Sequence, residues 1–178
     1  MTAISIRPAT PADIPAITRI YAHAVQHGTA SFELEPPDEA EMARRQQALL
    51  DGGFPYLVAM SDGAEADDVL GYAYAGPYRA RPAYRFSVEN SVYVAADAHR
   101  RGVGRALMDR LIAESVARGY RLMIAVIGDS AQTSSIELHR AAGFKLVGAF
   151  EGVGYKFDRW LDTVLMQRAL GKGTSGPP

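Results

Sequence analysis

Val92-Tyr93-Val94 followed by His99-Arg100-Arg101-Gly102-Val103-Gly104-Arg105-Ala106-Leu107-Met108 is the stretch whose reading decides the fold. An apolar run ends, a glycine-loosened turn follows, and an amphipathic helix opens. Glycines at 102 and 104 let the backbone adopt positive φ and come close to a ligand, while first-turn N–H groups and the helix dipole favour an anion. Arg100, Arg101 and Arg105 add positive charge. A Walker A loop would need Gly-Lys-Ser/Thr, and the dinucleotide fingerprint would need a third glycine at its set spacing. A phosphate-bearing ligand other than ATP or NAD is implied.

Working outward, Ser87 to Ala95 reads as the strand that feeds this turn, and the helix after it stops at Gly119. Leu122 to Ile127 is a short continuous apolar run of the kind found in covered strands. Ser134 and Glu137 are spaced as a capping box for a helix closed by Gly143, and Lys145–Val153 and Asp162–Leu170 read as final strands. Upstream, residues 1–8 read as a strand. Thr10 and Pro11 open a helix over 11–27 with an Ile14, Ile17, Ile20, Tyr21, Val25 stripe. Asp38, with Glu41 three residues on, caps a second helix that ends near Gly52-Gly53. Pro55–Met60 and Val69–Ala75 form a hairpin around the acidic turn Ser61–Asp68. The order is β α α β β β α β α β β, an α/β arrangement in two or three layers.

The 178 residues suit one domain over 1–170, large enough to bury roughly 70% of the surface its unfolded chain exposes. Residues 171–178, Gly-Lys-Gly-Thr-Ser-Gly-Pro-Pro, cannot bury apolar surface and are expected to be a disordered tail. A net charge of −1 gives no basic footprint for nucleic acid. There is no cysteine, which removes disulfides, thiolate metal sites and a thiol nucleophile and agrees with a reducing compartment. No apolar stretch reaches the ~18 residues of a membrane span. The expectation is a cytoplasmic protein with no metal, no membrane partner and no nucleic-acid partner.

This order, with strand 87–95 feeding the glycine loop, resembles the GNAT superfamily of acyl-CoA-dependent N-acetyltransferases over about residues 3 to 170. Three segments look like its phosphinothricin and methionine sulfoximine acetyltransferases: Ser87–Val94, Ile136-Glu137-Leu138-His139, and Gly154–Asp162. The resemblance implies a mixed, mostly antiparallel central sheet flanked by helices, acetyl-CoA as co-substrate, a small amino-acid-like acceptor, a detoxifying role and a homodimer. It implies that the amides of Arg101, Gly102, Val103, Gly104 and Arg105 hold the CoA pyrophosphate. Backbone groups of Val92, Tyr93 and Val94 would then line the pantetheine arm as an added strand would. Two positions depart from the family: His99 stands where the loop begins with Gln or Arg, and Gln132 where a cofactor-contacting asparagine is usual.

Acetyl transfer to an amine requires a neutral nitrogen, stabilisation of the oxyanion at the thioester carbonyl, and a proton for the departing thiolate. Glu89, in an otherwise apolar strand, is the candidate general base, because burial raises a carboxyl pKa. Its other reading is a carboxylate paired with Arg85 or facing solvent. An amine of pKa about 8 to 9 is roughly 1–10% neutral at pH 7, so a base supplies only about 1.4–2.7 kcal/mol. Orientation of two substrates supplies more, up to roughly 7–11 kcal/mol.

By resemblance His139 acts near the thiolate or the amine; alone it reads equally as a core or capping histidine. A backbone N–H near Val92 or Tyr93 is the oxyanion donor. Arg79, Arg81 and Arg85, interleaved with Tyr78 and Tyr84, are either a clamp for an anionic acceptor or a solvated basic hairpin. By resemblance Arg79 and Arg81 with Glu89-Asn90-Ser91 form the acceptor pocket. Phe32 is a pocket wall or a core aromatic. Lys156, Arg159 and Trp160 mark the subfamily and receive no catalytic role.

The function expected is acetylation of the α-amine of phosphinothricin, methionine sulfoximine or a related amino acid. The alternatives are acetylation of another small amine or a peptide N-terminus, and a non-catalytic acyl-CoA-binding regulatory module.

Overall fold

Thr10 and Asp13 start the first helix by bonding to each other: the Thr10 N–H and hydroxyl both donate to the Asp13 carboxylate, at 2.7 and 2.9 Å. Arg7, on the preceding strand, forks onto the same carboxylate at 2.8 and 2.6 Å. In this computed structural model, which describes residues 4–61 and 68–177, the chain thus turns from β1 (Ile4–Pro8) through one 3-10 turn into α1 (Ile14–His27). Asp13 is completely buried. Burial alone would raise its pKa, but the Arg7 guanidinium and the Thr10 donors outweigh burial and hold it below the ordinary carboxylate value. A carboxyl whose folded pKa is depressed contributes stability above its unfolded value of about 3.9 and loses it as pH falls through the lower folded value. Asp13→Asn should therefore flatten the acid limb of the stability curve, measured as urea midpoints between pH 5 and pH 2; an unchanged limb would exclude this carboxylate as a source of acid sensitivity.

The remaining elements are α2 (Glu39–Asp51), β2 (Tyr56–Ser61), β3 (Val69–Pro77), β4 (Ser87–Val94), α3 (Val103–Ala117), β5 (Leu122–Gly128), α4 (Thr133–Ala141), β6 (Lys145–Lys156) and β7 (Arg159–Ala169). Asp38 caps α2 as expected, its carboxylate accepting the Glu41 N–H at 2.8 Å. The expected Ser134–Glu137 capping box is absent. Asp129, in a left-handed conformation (φ 72°), builds the turn instead, accepting the Ala131 N–H on its side chain and the Gln132 N–H on its carbonyl. The helix starts two residues early, at Thr133 with Gln132 as its N-cap, and Glu137 pairs with Arg140. Residues 62–67 of the expected acidic turn lie outside the described residues. Residues 171–177, expected as part of a disordered tail, run as turns closed by Gly173 N–H to Leu170 and Ser175 N–H to Lys172.

The strands form one mixed sheet in the order β1-β2-β3-β4-β5-β7-β6. Every neighbouring pair is antiparallel except β4 and β5, which are joined by the α3 crossover that a parallel pair requires. Leu107, Met108, Leu111, Met123, Met166 and Leu170 pack α3 onto one face. Ile17, Val25, Met42, Val58 and a stack of Tyr56, Tyr72, Tyr74 and Tyr93 rings join α1 and α2 to the other. Each such side chain, fully buried, contributes about 1.5–3 kcal/mol. The sheet is thus the middle of three layers.

One irregularity positions the site. β4 and β5 pair only through Ser87–Asn90 and Leu122–Ala125, although β4 runs on to Val94 and β5 to Gly128. Beyond Asn90 the strands part, and one edge of Ser91–Val94 is left without a strand partner.

Candidate active site

The turn between β4 and α3 carries two left-handed residues, Arg100 (φ 58°) and Gly102 (φ 85°), with Arg101 between them in ordinary space. Alternation of this kind turns successive N–H groups toward one point. Among the described residues, the N–H groups of Val103, Gly104 and Arg105 make no hydrogen bond of normal geometry, and the first amide with a helical acceptor is Ala106, bonded to Gly102 at 3.0 Å. A Cβ placed on Gly102 meets nothing within 4 Å, so the space above the turn is open. Arg100 and Arg101 are exposed there. Arg105 is different: its side chain reaches Asp109 and the Ala141 carbonyl, so only its amide faces the turn. His99, at the departure from the family pattern, bonds the Val94 carbonyl at 3.1 Å and ties the turn to the end of β4.

Where β4 and β5 part, a cleft opens between Asn90–Tyr93 and Ala125–Gly128, with Ser135 and His139 of α4 against it. His139 is buried, and burial lowers its pKa, opposed by the bond to Ser135. Its Nδ1 lies 2.7 Å from the Ser135 carbonyl, which can only accept, so Nδ1 carries the proton. Nε2 therefore accepts from Asn90 Nδ2 at 2.9 Å. That orientation leaves Asn90 Oδ1 buried and without a partner beside the cleft. An acceptor in such a place fits a ligand N–H.

Glu89 and His139 do not meet. Side chains alternate along β4, so Asn90 faces α4 while Glu89, Ser91 and Tyr93 share the α1–α2 face, where Tyr93 meets Tyr21 at 5.1 Å. Glu89 is half-buried and makes no ion pair among the described residues. Burial raises its pKa, and Arg79 opposes the rise. Arg85 is not its partner, since it bonds the Pro82 carbonyl and lies over Phe86. Arg79 and Arg81 are exposed and share a depression with Ala80 and Tyr84. Consecutive residues, Glu89 and Asn90, therefore present a carboxyl on one face and an amide oxygen on the other at the point where the sheet opens.

Phe32 is wedged between two strand glycines: a Cβ on Gly154 would stand 2.3 Å from its ring, and one on Gly128 would stand 2.8 Å away. The loop that carries it is held by Lys156, whose ammonium donates to the Gly28 and Ser31 carbonyls at 3.0 and 2.8 Å. Burial pushes this ammonium below the ordinary lysine value, opposed by Glu33. Gln132, expected at the cofactor, lines the β4–β5 cleft and donates to Thr29 Oγ1 of the same loop at 3.0 Å. Asp129 accepts from Arg159 at 2.6 Å. Tyr21, its pKa pushed up to about 12 mainly by burial, bonds Ser31 and Glu33. Lys156, Tyr21, Thr29 and Asp129 were not expected to shape the site; the lysine between aromatic residues at the end of a strand was the one local hint. Among the described residues, no three His, Asp or Glu side chains gather as a metal site requires.

The acetyltransferase (GNAT) domain family matches residues 6–165. A phosphinothricin N-acetyltransferase of Alcaligenes faecalis is 52% identical over 176 residues, covering 99% of this chain and 87% of that protein. An L-methionine sulfoximine/L-methionine sulfone acetyltransferase of Pseudomonas paraeruginosa is 42% identical over 97% of this chain and 98% of its own. Among solved structures, a phosphinothricin acetyltransferase from Sinorhizobium meliloti in complex with AcCoA superposes with a TM-score of 0.94 at 48% identity, covering 100% of this chain and 94% of that one. With a parted β4–β5 pair, an amide-lined turn opening α3 and this extent of shared sequence, the chain belongs to the GNAT acetyltransferases.

Proposed function

We propose that this acetyltransferase moves acetyl from acetyl-CoA to the α-amine of phosphinothricin, methionine sulfoximine or a related amino acid, and so detoxifies it. The observation that carries the reading is the break in the sheet at Asn90, which places unsatisfied amides and an unpartnered amide oxygen on one side and a half-buried carboxyl near exposed arginines on the other. Arg101 to Arg105 hold the pyrophosphate by their amides, and the free edge of Ser91–Val94 takes the pantetheine arm. The Val94 carbonyl already accepts from His99, so Val92 carries more of that pairing.

On the other face, Arg79 and Arg81 attract the acceptor's acidic groups, with Phe32 as a wall and Ser91 beside the amine. Glu89 takes the proton as the nitrogen attacks the thioester carbon. The C–N bond forms, an N–H of the Val92–Tyr93 segment steadies the oxyanion, the C–S bond breaks, and the departing thiolate takes up the proton that Glu89 removed, returned through solvent. His139, neutral and already holding one proton on Ser135, is a positioning residue: it fixes the Asn90 amide so that Oδ1 accepts a substrate N–H.

Two further readings accompany this one. β6 is a sheet edge on which Leu146, Val147, Phe150, Val153 and Tyr155 are all more than half exposed, as is Trp160 opposite Tyr155 on β7, which supports a homodimer covering it, checked by mass in solution. The absence of cysteine supports a cytoplasmic location, and no described helix is long and apolar enough to cross a membrane.

The test is thiol release from acetyl-CoA with both anionic amino acid analogues, ordinary amino acids, a polyamine and a short peptide, for wild type and Arg81→Ala. Release should be fastest with the two analogues, and Arg81→Ala should raise their KM about fivefold with little change in kcat. A KM change under twofold removes Arg81 from the pocket; coenzyme binding without release for any acceptor would favour the non-catalytic module.

A further inference from the structure

Among the described residues, eight arginines stand within ion-pair distance of a carboxylate. Among the cations that do not are two groups already assigned to anions, Arg79 with Arg81 and Arg100 with Arg101. A third group, Arg121, Lys145 and Arg168, surrounds a cavity of about 520 Å³ at the far end of the sheet. Phe86, Leu122 and the hydroxyls of Ser87 and Thr174 complete its working surface, and among the described residues no Asp or Glu lines it.

The strand register explains the gathering. Ser87 lies beside Leu122, Leu122 beside Ala169, and Lys145 beside Gln167, so the starts of β4, β5 and β6 meet the end of β7. Arg121 donates to the Pro177 carbonyl at 3.0 Å, and Arg168 donates to the Ala142 carbonyl. Carbonyls hold the guanidinium groups in place but carry no formal charge. Three like charges around one cavity repel each other until an anion enters. Ser87 begins β4 and the amide-lined turn follows its end, so at ~3.3 Å per residue the cavity lies roughly 20 Å from that turn.

We propose that this cavity is a second anion site, one that binds a small oxyanion carrying an apolar group. The guanidinium and ammonium groups grip phosphate or carboxylate oxygens, and Phe86 and Leu122 receive the apolar part. The site is independent of the acetyl-transfer reading, because none of its residues serves that chemistry.

Amide NMR on the protein saturated with coenzyme A, which occupies the phosphate-binding turn, tests it with inorganic phosphate and phenyl phosphate as probes. Saturable shifts are expected at Gly143, Lys145 and Gly173, with tighter binding of phenyl phosphate. Arg121→Gln and Lys145→Gln should each weaken it roughly tenfold. Lys145 is exposed on β6, so its variant remains readable even if Arg121→Gln disturbs the turns after Leu170. Shifts that never saturate, that appear only near Gly102, or that keep wild-type affinity in Lys145→Gln would overturn the proposal.

Discussion

Glu89→Gln is expected to turn over about ten- to a hundredfold more slowly than wild type near pH 7, the roughly 1.4–2.7 kcal/mol needed to supply the neutral amine, while coenzyme A affinity stays within about twofold. The amide keeps the shape of the side chain and removes its ability to take a proton. Because burial raises the Glu89 pKa, the wild-type rate should fall as pH drops through a value above the ordinary carboxylate range, when the base becomes protonated. Glu89→Gln should lose that limb and follow only the neutral fraction of the amine. Steady-state kcat/KM from pH 5 to pH 9 reads both effects, and a variant with full rate between pH 6 and pH 9 would remove Glu89 as the base. His139→Gln separates the two faces: a positioning residue lowers the rate without removing the Glu89 limb, whereas loss of that limb would make the imidazole the proton acceptor.

A comparable loss, now in binding, is expected for Gly102→Val. The residue sits at φ 85°, where an L side chain costs ~1–2 kcal/mol and a β-branched one more. Relief requires the Arg101–Gly102 peptide to rotate, which turns the converging N–H groups away from the phosphate. The Cβ would also project into the space that is open in the structure. Together these should weaken coenzyme A about a hundredfold by calorimetry, and the rise in melting temperature that coenzyme A gives wild type should disappear. Gly104→Ala is the contrast, because that residue is helical and its Cβ would make ordinary contact with Leu138 at 3.4 Å. Equal coenzyme affinity in wild type and Gly102→Val would place the diphosphate elsewhere.

The elements readable in the sequence were those set by local chemistry. Asp38 announces α2, Thr10 and Pro11 announce α1, and the glycines at 102 and 104 announce the open turn before α3, because each acts within one helical turn of itself. The start of α4 was misread for the same reason: Ser134 and Glu137 have the spacing of a cap, but Asp129, held by Arg159 thirty residues away, builds the turn first. Gln132 lines the cleft, but its bond to Thr29, 103 residues distant, is nowhere marked in the local sequence. Lys156 reaches across 128 and 125 residues to carbonyls that no local pattern marks. Strand alternation does tell that Glu89 and Asn90 point apart. That α4 lies beneath Asn90, so that His139 Nε2 accepts from the Asn90 amide, emerges only when the chain is folded.

The four residue pairs that join β4 to β5 also leave the molecule as two half-sheets with a thin seam. A coenzyme lodged in the gap would act as mortar between them, and whatever binds only the assembled form protects it by about 2.7 kcal/mol at a hundred times its dissociation constant. Durability against proteases is then expected to follow the whole coenzyme pool, acetylated or free, because the acetyl group is no part of the mortar.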